Sequence, residues 1–267
     1  MSLLIVSGTG TDVGKTVATA AVAALAHARG RRVAVVKPVQ TGERPGAPGD
    51  LAAVAALTGL DDLHELARYP DPLSPEAAAR TAGRPPLDLR RAADHIAALA
   101  ADRDLVIVEG AGGLLVRYDP AGSTIADLAA MLDAPVLVVA AAGLGTLNHT
   151  ALTLEALAAR KLTCAGVVVG SWPADPGLAE RCNLVDLAAL ADGPLAGLLP
   201  AGAGRLAPGP FTELASRSLG RALGGSFDVA AFRAAQACAA DPRPWPPPTP
   251  GPWPPTPGPW PPPTLGR

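Results

Sequence analysis

Residues 8–16 read "GTGTDVGKT", and whether this glycine-rich turn can hold phosphate decides the fold. The usual phosphate-loop spacing, G-x-x-x-x-G-K-[ST], puts a glycine at position 9, where the chain has Thr9. A dinucleotide fingerprint, G-x-G-x-x-G, fails as well, because Gly8 and Gly10 are followed by Gly14, one residue too far. What anchors a phosphate chain is a run of backbone N–H groups at a helix N-terminus plus a lysine, and both survive one extra residue. Gly14 permits a tight backbone approach, Lys15 can reach the β and γ phosphates, and the Thr16 hydroxyl can ligate Mg²⁺.

Outward from the loop, the order strand, loop, helix repeats. "SLLIVSG" (2–8) is an aliphatic strand stopped by Gly8, and residues 15–29 are Ala-rich with helical spacing, closed by Gly30. "RRVAVVKPV" (31–39) reads as a second buried strand ended by Pro38, and "DLAAVAALTG" (50–59) as a helix with Asp50 placed to cap it. A proline-punctuated region (68–86) precedes an amphipathic helix over 87–101. "DLVIVEGAGG" (104–113) and "APVLVVAAAG" (134–143) are continuous aliphatic runs of the kind found in parallel strands covered on both faces, with a helix, "STIADLAAML", between them. Helix 146–161, strand "CAGVVVGS" (164–171), helix 184–190 and strand "LAGLLPAG" (195–202) complete the alternation. Strands joined by helices cross over in parallel with right-handed connections, so the expected fold class is α/β, a three-layer α/β/α sandwich around a mainly parallel doubly wound sheet. Ligands in such sheets bind beyond the carboxyl ends of the strands, where the glycines and charges collect here.

Composition excludes other classes. Of 267 residues, hydrophobic types make up 49% but aromatics only 3%, so the core must come from small aliphatic side chains. A net charge of −2 lacks the basic footprint of duplex nucleic-acid binding, and no apolar run approaches membrane-spanning length. Three cysteines, Cys164, Cys182 and Cys238, without C-x-x-C spacing argue for a reducing compartment, and with no signal peptide the expectation is a cytoplasmic protein. Residues 1–240 read as one domain. From 241 to 267 the chain repeats a P-W-P-P unit around Trp245, Trp253 and Trp260, which favours extended polyproline conformations and reads as a disordered tail. His27, His64, His95 and His149 show no ligand spacing.

Two further signals converge on the phosphate loop. Mg²⁺ prefers oxygen ligands, one or two of them carboxylates. Glu109 ends an otherwise apolar strand, where a carboxylate needs a cationic partner, and Gly110, Ala111 and Gly112 behind it let backbone pass close to a ligand. Asp50 reads equally as a helix cap or as a second metal ligand. In "VVKPVQTG" (35–42), Lys37 sits at a strand end and would project into the same cleft. Two lysines aimed at one triphosphate imply that negative charge develops between nucleotide and substrate, and Thr41 can add a hydroxyl hydrogen bond there.

The motifs "GTGTDVGKT", "KPVQTG", "VEGAGGLLV" and "LGTLNHTALTLEAL", in that order over residues 1–232, resemble the dethiobiotin synthetases of biotin biosynthesis. In that family the long glycine loop is the normal form. The resemblance implies a homodimeric α/β sandwich that joins 7,8-diaminononanoate and CO₂ with ATP and Mg²⁺ to give dethiobiotin, ADP and phosphate. It implies a catalytic set of Lys37, Lys15 and Thr11, nucleotide contacts from Asp12, Val13 and Val17 around Gly14 and Thr16, and metal ligation by Thr16, Asp50 and Glu109. Gly145, Thr146, Leu147 and Asn148, at a helix start, would hold the substrate carboxylate of the neighbouring subunit. Pro200, Ala201 and Gly202 would line the base or ribose pocket. Many members carry an Asn that helps recognise adenine where this chain has Gly170, followed by Ser171, so other nucleoside triphosphates are expected to be accepted. Partitioning and metal-carrier ATPases share the fold but carry a second lysine inside the loop, and none precedes Lys15 here.

Overall fold

The computed structural model describes residues 2–191, 195–229 and 231–232. The proposed tail, with Trp245, Trp253 and Trp260, and Cys238 lie outside the described residues. The elements are β1 (Leu3–Gly8), α1 (Lys15–His27), β2 (Val33–Thr41), α2 (Asp50–Thr58), β3 (Leu63–Tyr69), α3 (Pro75–Thr81) and α4 (Leu89–Asp102). They continue with β4 (Leu105–Gly113), α5 (Ile125–Met131), β5 (Val136–Ala140), α6 (Thr146–Ala159), β6 (Cys164–Trp172), α7 (Leu178–Leu190), β7 (Gly197–Pro200) and α8 (Pro208–Ser218).

Among the described residues seven strands form one sheet in the order β3-β2-β4-β1-β5-β6-β7, and every strand pairing in it is parallel. Parallel strands need crossovers, and the helices supply them on both faces. One buried cluster packs α1, α2 and α8 on one face, through residues such as Leu25, Val54 and Phe211. The other packs α3 to α7 on the opposite face, through Ala78, Ile96, Leu128, Leu157 and Leu184. The strand runs carry no polar alternation because both faces are covered: all five residues of β5 are buried. Each such Val or Leu contributes about 1.5–3 kcal/mol on burial, so many small side chains build most of the core with only a few aromatics such as Phe211 and Tyr118. The expected three-layer parallel sandwich is the observed one.

Several local expectations need correcting. β2 does not stop at Pro38 but runs to Thr41. Its ladder with β4 ends at Val36, so the last residues have only β3 beside them, and a residue without an N–H is tolerated at such an edge-like position. Asp50 is not a cap: Gly49 is the N-cap of α2 and Asp50 its first residue. Helix α4 begins two residues later than expected, where the Asp88 carboxylate accepts from Arg91 N at 3.0 Å. Helix α7 begins at Leu178 rather than 184. The edge strand β3, "LHELARY", was hidden because an edge strand half in water shows no aliphatic run, and α3 was masked by its flanking prolines.

The chain leaves β1 in two directions, through α1 and α2 toward β3 and later through α5, α6 and α7 toward β7. Such a reversal opens a crevice at the carboxyl ends of the central strands. The glycine loop after β1, Lys37 on β2 and Glu109 on β4 all stand at that crevice.

Candidate active site

The loop between β1 and α1 is a left-handed turn followed at once by helix. Asp12 has φ 59° and Gly14 φ 96°, which aims successive N–H groups into one concavity at the start of α1. Gly14 and Gly170 are required together, because a Cβ on Gly14 would lie 2.4 Å from the Gly170 carbonyl oxygen and one on Gly170 would lie 2.0 Å from that of Val13. The end of β6 therefore buttresses the loop by backbone contact alone. Lys15 is 8% exposed and donates to the Gly10 carbonyl at 2.8 Å, closing the loop on itself.

A cleft of about 550 Å³ opens in front of the loop. It brings together Thr11, Asp12, Gly14, Lys15, Thr16 and Val17 of the loop and α1, Lys37 and Thr41 of β2, and Asp50, Glu109, Ala111 and Gly112. At its floor, Glu109 Oε1 accepts from Lys37 Nζ at 2.8 Å and from Thr16 Oγ1 at 2.9 Å. Lys37 Nζ also reaches Asp50 Oδ2 at 2.5 Å and the Gly110 carbonyl at 3.2 Å. The Gly110–Gly112 turn is held from behind, where the Ala111 N–H donates to the buried Tyr118 hydroxyl at 2.8 Å.

The two ammonium groups differ in their surroundings. Burial disfavours the charge on Lys37, but Glu109 and Asp50 outweigh it and hold the group above the ordinary lysine value. Burial and the nearby charge of Lys37 lower Lys15 instead, against the pull of Glu109, Asp50 and Asp12. The cleft thus contains one firmly charged lysine and one that releases its proton more easily.

The donor set fits a hard divalent cation. Glu109 is 1% exposed, and its second oxygen, Oε2, is buried with no hydrogen-bond partner, a costly arrangement unless a cation satisfies it. Thr16 and Asp50 line the same cleft as Glu109. Among the described residues no group of three or more His, Cys, Asp and Glu could hold a metal, so a cation here would draw its remaining ligands from phosphate and water, as Mg²⁺ does.

Other expected residues lie elsewhere. Gly145 caps α6 in a left-handed conformation, φ 93°, with no side-chain cap, and Gly145, Thr146, Leu147 and Asn148 do not line this cleft. That turn is anchored by the buried Asn183, which donates to the carbonyls of Ala142 and Gly143 at 2.8 and 3.0 Å. Ser171, Pro200, Ala201 and Gly202 also lie outside the cleft lining. They occupy the ends of β6 and β7, where Ala201 N donates to the Trp172 carbonyl at 2.7 Å. His64 and His95, far apart in sequence, meet at 3.3 Å. Motif reading missed Gln40, which lines the cleft although it belongs to "KPVQTG", and Glu43. Nothing in spacing marks either one, because their neighbours come from distant segments.

A parallel sandwich with this loop, a lysine just past the β2–β4 ladder and paired acids at one crevice defines a nucleoside-triphosphate-binding protein of the phosphate-loop class, and a family model described as an AAA domain matches residues 2–203. The ATP-dependent dethiobiotin synthetase BioD of Frankia casuarinae is 64% identical over 234 residues, 88% of this chain and 98% of that protein. The ATP-dependent dethiobiotin synthetase BioD of Parafrankia sp. is 63% identical over 237 residues, 89% of this chain and 100% of that protein. The chain belongs to the ATP-dependent dethiobiotin synthetase family, as its motifs implied. Among solved structures, the septum site-determining protein MinD complexed with Mg-ADP from Pyrococcus horikoshii OT3 is similar at a TM-score of 0.48 and 19% identity, covering 88% of this chain and 93% of that chain.

Proposed function

We propose that the cleft joins 7,8-diaminononanoate and CO₂ at the expense of ATP, closing the ureido ring of dethiobiotin. The observation that carries this reading is the shared carboxylate: Glu109 Oε1 ties Lys37, just past the end of the β2–β4 ladder, to the phosphate-loop hydroxyl, Thr16, so a cation for the substrate side and the nucleotide side occupy one cleft. A neutral amine of the substrate attacks CO₂ and loses a proton, giving a carbamate anion that the Lys37 ammonium positions. A carbamate oxygen attacks the γ-phosphorus and ADP leaves. Lys15 balances the charge on the transferring phosphoryl group, and the Thr11 hydroxyl reaches the same γ phosphate. The second amine then attacks the carbonyl carbon and expels phosphate, a step that needs orientation more than acid or base catalysis.

Thr16, Asp50 and Glu109 would hold Mg²⁺, which when bound draws negative charge from the phosphate oxygens. The orphaned Glu109 Oε2 supports that assignment. We assign the substrate carboxylate to the α6 N-terminus of a second subunit in a homodimer, a reading supported by the uncapped Gly145 turn and by exposed apolar side chains beside it, Leu144 at 93% and Leu178 at 68%. Base selectivity is read as loose, since Gly170 offers no side chain there and packs on the Val13 carbonyl. Similar turnover with CTP or GTP supports that; turnover with ATP alone excludes it. Among the described residues no helix is long and apolar enough to cross a membrane, and we place the reaction in the cytoplasm. The catalytic domain is assigned to residues 1–240.

The decisive experiment incubates the protein with diaminononanoate, bicarbonate, Mg²⁺ and ATP and looks for the cyclic urea by mass. Its formation, dependent on ATP, supports the reading; ATP hydrolysis without that product overturns it.

A further inference from the structure

Gln40 is buried, 5% exposed, yet neither the phosphate loop nor the proposed chemistry uses it. Its amide is engaged at both ends. Nε2 donates to the carbonyl of Thr41 at 3.0 Å, and Oε1 accepts from the backbone N–H of Asp50 at 2.9 Å. Helix α2 opens without any local side-chain cap, because its N-cap is Gly49. A helix start leaves N–H groups unsatisfied, and they are normally served by a Ser, Thr, Asp or Asn at the cap position. Here that service comes from a residue ten positions earlier on the neighbouring strand.

Gly49 carries a second, independent observation. A Cβ there would stand 2.7 Å from Gln40 Oε1 and 2.9 Å from Arg68 Nη2. The cap residue is therefore a glycine so that the Gln40 amide can come close. Arg68 holds the same loop from the other side, donating to the Arg44 and Ala47 carbonyls at 3.2 and 2.8 Å while Glu65 fixes its guanidinium. The first residue of α2 is thus pinned to the end of β2, and that residue is Asp50, whose Oδ2 lies 2.5 Å from Lys37 Nζ.

We infer that Gln40 is a positioning residue: by capping α2 from β2 it sets the Asp50 carboxylate against the Lys37–Glu109 pair, and so sets the affinity of the site for its divalent cation. The inference rests on the reading of Asp50 as a metal ligand. Loss of the cap leaves the half-buried Asp50 N–H without its partner and frees the first turn of α2, an effect of roughly tenfold on an equilibrium that depends on that turn.

The test measures ADP binding by calorimetry across a Mg²⁺ series for the wild-type chain, Gln40→Leu, Asp50→Asn and the double variant, with ADP binding in the absence of Mg²⁺ as the reference. Gln40→Leu should raise the Mg²⁺ midpoint about tenfold and leave metal-free ADP binding unchanged. In the Asp50→Asn background the same change should add nothing, since residues that act through one another are not additive. Gly49→Ala, which keeps the glutamine but crowds its oxygen, should move the midpoint the same way. Equal effects of Gln40→Leu with and without Asp50, or an unmoved midpoint while Asp50→Asn moves it, overturn the inference alone. An unmoved midpoint in Asp50→Asn overturns the metal-ligand reading beneath it.

Discussion

Lys37 Nζ and Glu109 Oε1 stand 2.8 Å apart with both side chains withdrawn from water, at 3% and 1% exposure. Removing one partner of such a pair strands the other charge, which typically costs about 3–5 kcal/mol. Glu109→Gln should therefore lower unfolding stability by about 3 kcal/mol in urea denaturation, the Asp50 carboxylate moderating the loss, and should abolish the cyclic urea. A variant as stable as the parent would show that Lys37 does not depend on Glu109.

Lys37→Ala tests the chemical role. The phosphate loop keeps Lys15, Thr16 and its backbone N–H groups, so ADP affinity should stay within about threefold, while product formation falls at least about a hundredfold, the scale of losing one preorganised charge at a developing anion. Calorimetry and mass detection read the two separately, and unchanged turnover removes Lys37 from the mechanism.

Lys15 gives a pH dependence with a definite sign. Burial and Lys37 lower its pKa beneath the ordinary 10.5, so in the free protein its charge is lost earlier than that of a free lysine as pH rises. Nucleotide affinity should weaken with rising pH before 10.5 is reached, and ADP titrations over an alkaline series measure the slope. The stability sign is opposite: a lowered lysine binds fewer protons folded than unfolded, so its folding penalty shrinks as pH rises through the folded value. Lys37, raised by Glu109 and Asp50, contributes fully below 10.5 and loses its effect only above it.

Gly170→Ala should act on the nucleotide although no side chain there reaches it. The added Cβ would sit 2.0 Å from the Val13 carbonyl oxygen and 2.6 Å from Val139 Cγ1. Backbone must move, at about 1–3 kcal/mol for overpacking, and the part free to move is the phosphate loop. ADP affinity should fall about tenfold or more; an unchanged value would mean that β6 does not support the loop.

Leu144, Leu152 and Leu178 expose 93%, 56% and 68% of their surface around the start of α6 and α7. If this face meets a second copy, Leu144→Asp with Leu152→Asp should give a monomer by light scattering, weaken turnover and leave ADP binding intact. A dimer that persists with full turnover would move the interface elsewhere.

The class of fold was readable from residue order, since continuous aliphatic runs alternating with Ala-rich helices admit little but a covered parallel sheet. So was the phosphate loop, because loop, lysine and hydroxyl are contiguous in the chain and their chemistry is local. Lys37 and Glu109 were legible as charges closing aliphatic runs, although both strands run on past them, to Thr41 and Gly113; that one Glu109 oxygen serves both Lys37 and Thr16 was not legible. That meeting depends on β2, β4 and β1 lying side by side, an order of strands that no spacing encodes. The same reason hid the hold of Arg68 on the Arg44 and Ala47 carbonyls, the role of Gln40 at Asp50, and the need for glycine at Gly49 and Gly170. Each is a contact between segments remote in sequence, and only the packing of the sheet brings them within hydrogen-bond or van der Waals reach.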